Sequence, residues 1–154
     1  MKIMETIVQL NSQANLSEHF KLGEMTKSSS HPDVYNIPSH EAIANLKRVC
    51  GWLEVLRKRY GGPIIINSGY RSPQLNRKIG GVATSNHLTG CAVDIRVTGM
   101  EQLIRYAAIL LDYADESHQD FDELLIEKNR YGAIWLHFAV RPRENRRRIL
   151  YINA

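Results

Sequence analysis

Residues 85–97, Ser85-Asn86-His87-Leu88-Thr89-Gly90-Cys91-Ala92-Val93-Asp94-Ile95-Arg96-Val97, change character halfway along. The first part is polar and turn-like. From Cys91 onward the side chains alternate, with Ala92, Asp94 and Arg96 on one face and Val93, Ile95 and Val97 on the other, which is the period-two pattern of a strand with one apolar face. Gly90, at the junction, permits a sharp approach between loop and strand. The stretch thus carries an imidazole, His87, on a loop and a carboxylate, Asp94, on the less apolar face of the strand it enters, and the two can converge.

Working outward, a short β-branched run, Pro63 to Asn67, sits between Gly61-Gly62 and Ser68-Gly69 and reads as a buried strand that stops at a loop. The loop continues through Tyr70, Arg71, Ser72 and Pro73 and a polar connection at Gly80-Gly81. Upstream, Ile43, Leu46, Val49, Cys50, Leu53 and Leu56 recur at three and four residues, with Pro38 and Glu41 at the start and Lys58, Arg59 and Gly61 at the end; this predicts an amphipathic helix from Ser39 to Tyr60. The first 37 residues are polar and weakly periodic, an arm expected to wrap the core, with Phe20, Leu22 and Met25 as its anchors.

Downstream, Thr98 to Glu101 forms a capping-box pattern. Met100, Leu103, Ile104, Ala107, Leu110 and Leu111 then give a helical period ending near Tyr113. Glu123 to Glu127 and Ala133 to Val140 are strand-like runs joined by a polar, Gly-containing turn, and so predict a hairpin. The order helix, strand, strand, helix, hairpin is that of an α+β fold with a small antiparallel sheet and flanking helices.

The composition agrees with this pattern. At 154 residues, with 44% hydrophobic and 23% charged residues, the chain suits one domain spanning 1–154, with 1–37 as its arm, and excludes disordered, collagen-like and repeat architectures. The net charge of +4 is shared by many classes of protein and selects no partner. The opening residues are too short and too interrupted by Glu5 and Gln9 for an export signal, and no run approaches membrane-spanning length, so synthesis in the cytoplasm is expected. Cys50 and Cys91 belong to no CxxC pair and read as small buried apolar residues.

His137 supplies a third candidate donor. Alternation over Ile134 to Ala139 puts Trp135, His137 and Ala139 on one face, with Leu136 and Phe138 on the other. If this strand pairs with the one carrying Asp94, His137 can lie beside that carboxylate. Two imidazole nitrogens and one carboxylate oxygen are a common zinc set, and three protein ligands leave a fourth position for water. The reaction class would then be metal-assisted hydrolysis. His19, His31, His40 and His118 read as surface or hydrogen-bonding residues. Cys91 points with Val93, away from Asp94, and stays out of the metal shell.

Ser85, His87, Gly90, Ala92 and Asp94 together strongly resemble the signature of the zinc D-Ala-D-Ala carboxypeptidases, peptidase family M15. Ser68 to Asn76, Gly80-Gly81, Phe121 to Glu127 and Trp135 to His137 are similar to the compact phage and prophage branch, and the likeness runs from about Leu16 to Arg147. The resemblance implies a Hedgehog-like α+β fold, one Zn²⁺ held by His87, Asp94 and His137, and hydrolysis of a peptide bond in peptidoglycan stem peptides, by a DD-carboxypeptidase or an endolysin-type endopeptidase.

The resemblance also implies a place for Arg71 near the substrate carbonyl, where a guanidinium can stabilise an oxyanion; the alternative for Arg71 is a structural salt bridge. Ser85 either hydrogen-bonds substrate or shapes the loop ahead of His87. The best-known members carry an acid three residues before the last histidine ligand, and here that position is Ile134. The candidate general base is therefore Glu127, whose alternative is a charged edge residue paired with Lys128 or Arg130.

The lack of an acid at position 134 motivates a second expectation, a non-catalytic zinc-binding module that recognises cell-wall peptide or a protein partner. The run Arg141 to Arg148 reads as a solvated basic edge, and without interleaved aromatics it indicates no nucleic-acid partner. Trp52 and Phe138 read as core, whereas Trp135 shares the His137 face. Release to the wall by phage-type lysis would bring such a chain to its substrate.

Overall fold

The computed structural model describes residues 12–154; most of the opening segment judged against an export signal lies outside the described residues. The elements are α1 (Leu22–Thr26), α2 (His40–Tyr60), β1 (Ile66–Ser68), α3 (Pro73–Lys78), a 3₁₀ turn (Asn86–Thr89), β2 (Ala92–Arg96), α4 (Met100–Ser117), β3 (Glu123–Lys128), β4 (Ile134–Ala139) and β5 (Arg148–Asn153). The five strands form one sheet in the order β1-β2-β4-β3-β5. Every pairing is antiparallel except β3 with β5, which is parallel. The fold is α+β, a mostly antiparallel sheet flanked by helices.

Register divides the sheet into two chemically distinct faces. Val93 pairs with Phe138 and Ile95 with Leu136, and on the far side of β4 Leu124 and Ile126 pair with the same two residues. These side chains join Leu46, Val49, Leu53 and Leu56 of α2 and Leu103, Tyr106 and Leu110 of α4 in the core. Trp52 packs edge-on to Phe121, with ring centroids 6.5 Å apart, and lies 5.4 Å from Phe138, within the range of favourable aromatic pairs. The opposite face carries Asp94, His137, Glu123, Glu127 and Trp135, because alternation sends every second residue away from the helices.

Helix α2 follows its signals closely. Ser39 Oγ accepts the Ala42 N–H at 3.1 Å, Arg57, Lys58 and Arg59 lie in the last turn, and Gly61 closes the helix in the left-handed region at φ 85°. The described part of the arm is fastened to α2 through Glu54, which accepts Ser17 Oγ at 2.5 Å and the His19 N–H at 2.7 Å. Phe20, Leu22 and Met25 are buried.

Several boundaries differ from expectation. The first strand begins at Ile66 rather than Pro63: proline has no N–H to give a ladder, and the register shifts between Ile66 and Ser68. Helix α4 starts one residue beyond Gly99, and Thr98 forms no capping box; its N–H donates to Gln102 Oε1 instead. That helix runs past Tyr113 to Ser117 because Ala114 extends the buried stripe of Leu103, Tyr106 and Leu110, while Met100 and Ile104 face outward.

The connection after Arg71 contains a helix, α3, where a loop was expected. Ser72 accepts the Leu75 N–H at 3.0 Å, and Pro73 takes the first helical position, where a missing N–H costs nothing. The sheet also has an unexpected fifth strand: the arginine run bends, and Arg148 to Asn153 then pair along β3.

Candidate metal centre

His87 is held mainly by backbone. Ser85 caps the 3₁₀ turn by accepting the His87 N–H at 3.2 Å, and Gly90 ends the turn at φ 76°, where a side chain would also overlap the Ala42 carbonyl of α2. The imidazole Nδ1 bonds the Gly69 carbonyl oxygen at 2.6 Å. A carbonyl only accepts, so Nδ1 carries the proton and Nε2 is turned to Asp94 Oδ1, 3.2 Å away. Gly69 is itself pressed against the backbone of Met25, whose carbonyl accepts the Tyr70 N–H at 2.7 Å.

Asp94 and His137 face each other across β2 and β4. His137 Nδ1 lies 3.1 Å from Asp94 Oδ1, and its Nε2 lies 2.9 Å from Glu123 Oε1. One donor atom from each of His87, Asp94 and His137 thus falls within 4.8 Å of the others, and all three residues are buried. The second oxygen of Asp94 receives Arg71 Nη2 at 3.2 Å, so the carboxylate presents one oxygen to the two rings.

Arg71 is immobilised on every side. Its Nε donates to Ser68 Oγ at 3.2 Å and its Nη1 to Asn76 Oδ1 at 3.3 Å. Its own N–H bonds the His87 carbonyl at 3.0 Å. Asn36 spans the residue from outside: its Nδ2 donates to the Tyr70 carbonyl at 2.9 Å, and its Oδ1 accepts the Ser72 N–H at 2.6 Å. Arg71 therefore makes the salt bridge offered above as its alternative reading, beside the candidate ligands. Ser85 makes the loop-shaping bond and also lines a surface cleft with Asn45, Thr84 and Arg141.

Glu127 lies opposite Trp135. Its Oε1 accepts the indole N–H at 3.0 Å and stands 3.5 Å from His137 Nδ1, on the side of the ring that faces Asp94. Lys128 and Arg130 are not its partners among the described contacts. Ile134, three residues before His137 on β4, packs against the core. In an unbroken strand the residue three before His137 points to the opposite face, so an acid for this centre has to come from the neighbouring strand.

The electrostatics follow from burial and pairing. Burial works against charge on Asp94, yet His87 and His137 outweigh it and hold the carboxyl well below its ordinary range. Burial pushes His87 down, while for His137 the bonds to Asp94 and Glu123 overcome burial and push it up to about 10. Glu127 is raised, by burial and then by the negative charge of Asp94. Burial raises the Cys91 thiol and keeps it protonated, a poor state for a metal ligand.

Four contributors escaped the sequence reading: Glu123, Asn86, Asp122 and Arg146. Asn86 Nδ2 reaches both Asp122 Oδ2 and Glu123 Oε1 at 2.7 Å, and Arg146 grips Asp122 through Nε at 2.9 Å and Nη2 at 2.7 Å. The available signal was strand parity: Glu123 lies four residues before Glu127 and thus on its face. The expected solvated basic edge is instead neutralised, since Arg141, Arg146, Arg147 and Arg148 all lie within ion-pair distance of acids.

The donor set fits a divalent ion. Each ring has its outer nitrogen occupied, at Gly69 or Glu123, and its inner nitrogen turned to one shared carboxylate oxygen. Two nitrogens and one oxygen in a buried setting suit Zn²⁺. No helix among the described residues is long and apolar enough to cross a membrane. A protein-family model described as Peptidase M15 matches residues 18–121, a stretch that includes Arg71, Ser85, His87 and Asp94 and stops short of Glu123, Glu127 and His137. No curated protein matches the chain.

Proposed function

Because the chain belongs to the peptidase M15 family, we propose that it is a zinc metallopeptidase that hydrolyses a peptide bond in peptidoglycan stem peptides, as a DD-carboxypeptidase or an endolysin-type endopeptidase. The observation that carries this reading is the convergence of His87 Nε2, Asp94 Oδ1 and His137 Nδ1, with the Glu127 carboxylate alongside. Zinc, when bound, supplies Lewis-acid activation of water and of the scissile carbonyl.

The protein's own groups do the rest. Glu127 Oε1 takes a proton from the attacking water and delivers it to the leaving amine; its raised pKa brings it closer to neutral pH, where a general base is most effective. The Trp135 indole N–H holds that oxygen in place. Arg71 has five N–H donors, of which Ser68, Asn76 and Asp94 engage three. The remaining donors are available to a developing oxyanion, and the guanidinium is pre-positioned, which is what makes such stabilisation effective. Ser85 shapes the loop that presents His87, and the whole chain acts as one peptidase unit.

The test incubates zinc-loaded protein with purified muropeptides and reads product masses. New products of defined mass identify the peptidase and the bond it cuts. Zinc bound with no turnover on any stem peptide would leave a wall-recognising module and contradict the proposal.

A further inference from the structure

The two candidate histidine ligands are oriented by different means. His87 is fixed by a backbone carbonyl, whereas His137 depends on a side chain, Glu123, whose Oε1 lies 2.9 Å from Nε2. The same oxygen accepts Asn86 Nδ2 at 2.7 Å. Glu123 Oε2 faces two guanidinium groups, Arg146 Nη2 at 3.7 Å and Arg148 Nη1 at 3.6 Å. The Glu123 side chain is only 13% exposed, and a carboxylate so enclosed stays ionised only where partners offset its desolvation.

The two guanidinium groups arrive on a single turn of chain. Arg147 adopts the left-handed conformation at φ 52°, unusual for a residue with a long side chain. Its guanidinium turns to Asp115 at 2.6 Å and Asp120 at 3.1 Å, while Arg146 and Arg148, on either side, reach Asp122 and Glu123. Asp122, 0% exposed, receives the Arg146 fork and anchors the turn next to Glu123. Bidentate guanidinium pairing of this kind fixes geometry as well as charge.

We propose that Glu123 is a positioning residue for the metal centre and that Arg146 to Arg148 form the clasp that holds it. An ionised carboxylate can only accept, so Glu123 dictates that His137 Nε2 bears a proton and that Nδ1 is the nitrogen offered to the ion. A carboxylate behind a ligating histidine fixes the ring and raises its basicity as a ligand. This inference rests on the reading of His137 as a zinc ligand.

The test uses full-length Glu123→Gln and Arg146→Gln, with two readouts besides turnover: zinc affinity by competition with a chromophoric chelator, and the His137 Nε2–H resonance in zinc-loaded, ¹⁵N-histidine-labelled protein. Wild type is expected to bind one zinc and show a low-field, slowly exchanging Nε2–H. In Glu123→Gln the affinity falls about 10- to 100-fold and the resonance moves upfield; Arg146→Gln gives the same changes to a smaller degree. Should Glu123→Gln fail to fold, the more exposed Arg146→Gln decides alone. A folded variant that retains wild-type affinity and an unmoved resonance overturns the inference while leaving the zinc reading intact. Failure of wild type to bind zinc overturns the zinc reading instead.

Discussion

The two arms of the candidate centre are built differently. The arm from Gly69 to Asp94 is assembled largely from main-chain contacts: a carbonyl orients His87, a left-handed glycine closes its turn, and the backbone from Tyr70 to Ser72 is pinned by the Met25 and His87 carbonyls and the Asn36 side chain. The arm from Asp122 to Arg148 is assembled from side chains, with Glu123 on His137, Asn86 on Asp122 and Glu123, and Arg146 and Arg148 reaching the same two acids. A main-chain arm tolerates side-chain change but not a changed backbone; a side-chain arm can be tuned one residue at a time. The matched family stretch contains the first arm and ends at residue 121, before the second.

The largest expected effect treats the arms alike. His87→Ala and His137→Ala should each abolish copurifying zinc, from about one ion per chain to none, because an open three-ligand site that loses a ligand keeps too few. Metal analysis of the purified variants checks this, and an ion retained in either would separate that arm from the centre. Next, Glu127→Gln should lower turnover by about 10² to 10⁴ while zinc remains bound. Loss of the metal in that variant would make Glu127 part of the coordination rather than a base.

A smaller effect separates the arms. Gly90→Ala should destabilise the protein by about 1–3 kcal/mol, read from denaturant midpoints, since the new methyl meets the Ala42 carbonyl at a left-handed backbone position. A neutral result would mean that the main-chain arm can give way. The smallest effect belongs to acid stability. Burial alone would raise Asp122, but Arg146 and Asn86 hold it down, from 3.8 to about 2. A depressed carboxyl contributes stability above its unfolded pKa and loses it as pH falls through the folded one. The melting-temperature gap between wild type and Asp122→Asn should therefore narrow from pH 4 to pH 2, and a gap that widens would reverse the sign.

Legibility followed the same division. The loop-to-strand change at Gly90, the alternation around Asp94 and His137 and the caps of α2 are local patterns, and the structure realises them as a turn, two paired strands and a helix. Glu123 was readable by parity with Glu127 but looks like any charge at a strand end until Asn86 arrives from elsewhere in the chain. The arginines looked solvated because a run of like charge carries no mark of its partners: Asp115, Asp120, Asp122 and Glu123 lie 19 to 32 residues from the arginines they pair with. Helix α3 is too short for periodicity to reveal, and only its Ser72-Pro73 start gives it away.

The most direct measurement is anomalous diffraction at the zinc edge from crystals of the zinc-loaded protein. A single peak is predicted about 2.0–2.2 Å from His87 Nε2, His137 Nδ1 and an Asp94 oxygen. A peak bound through His137 Nε2, or one lying away from these three residues, would contradict the account.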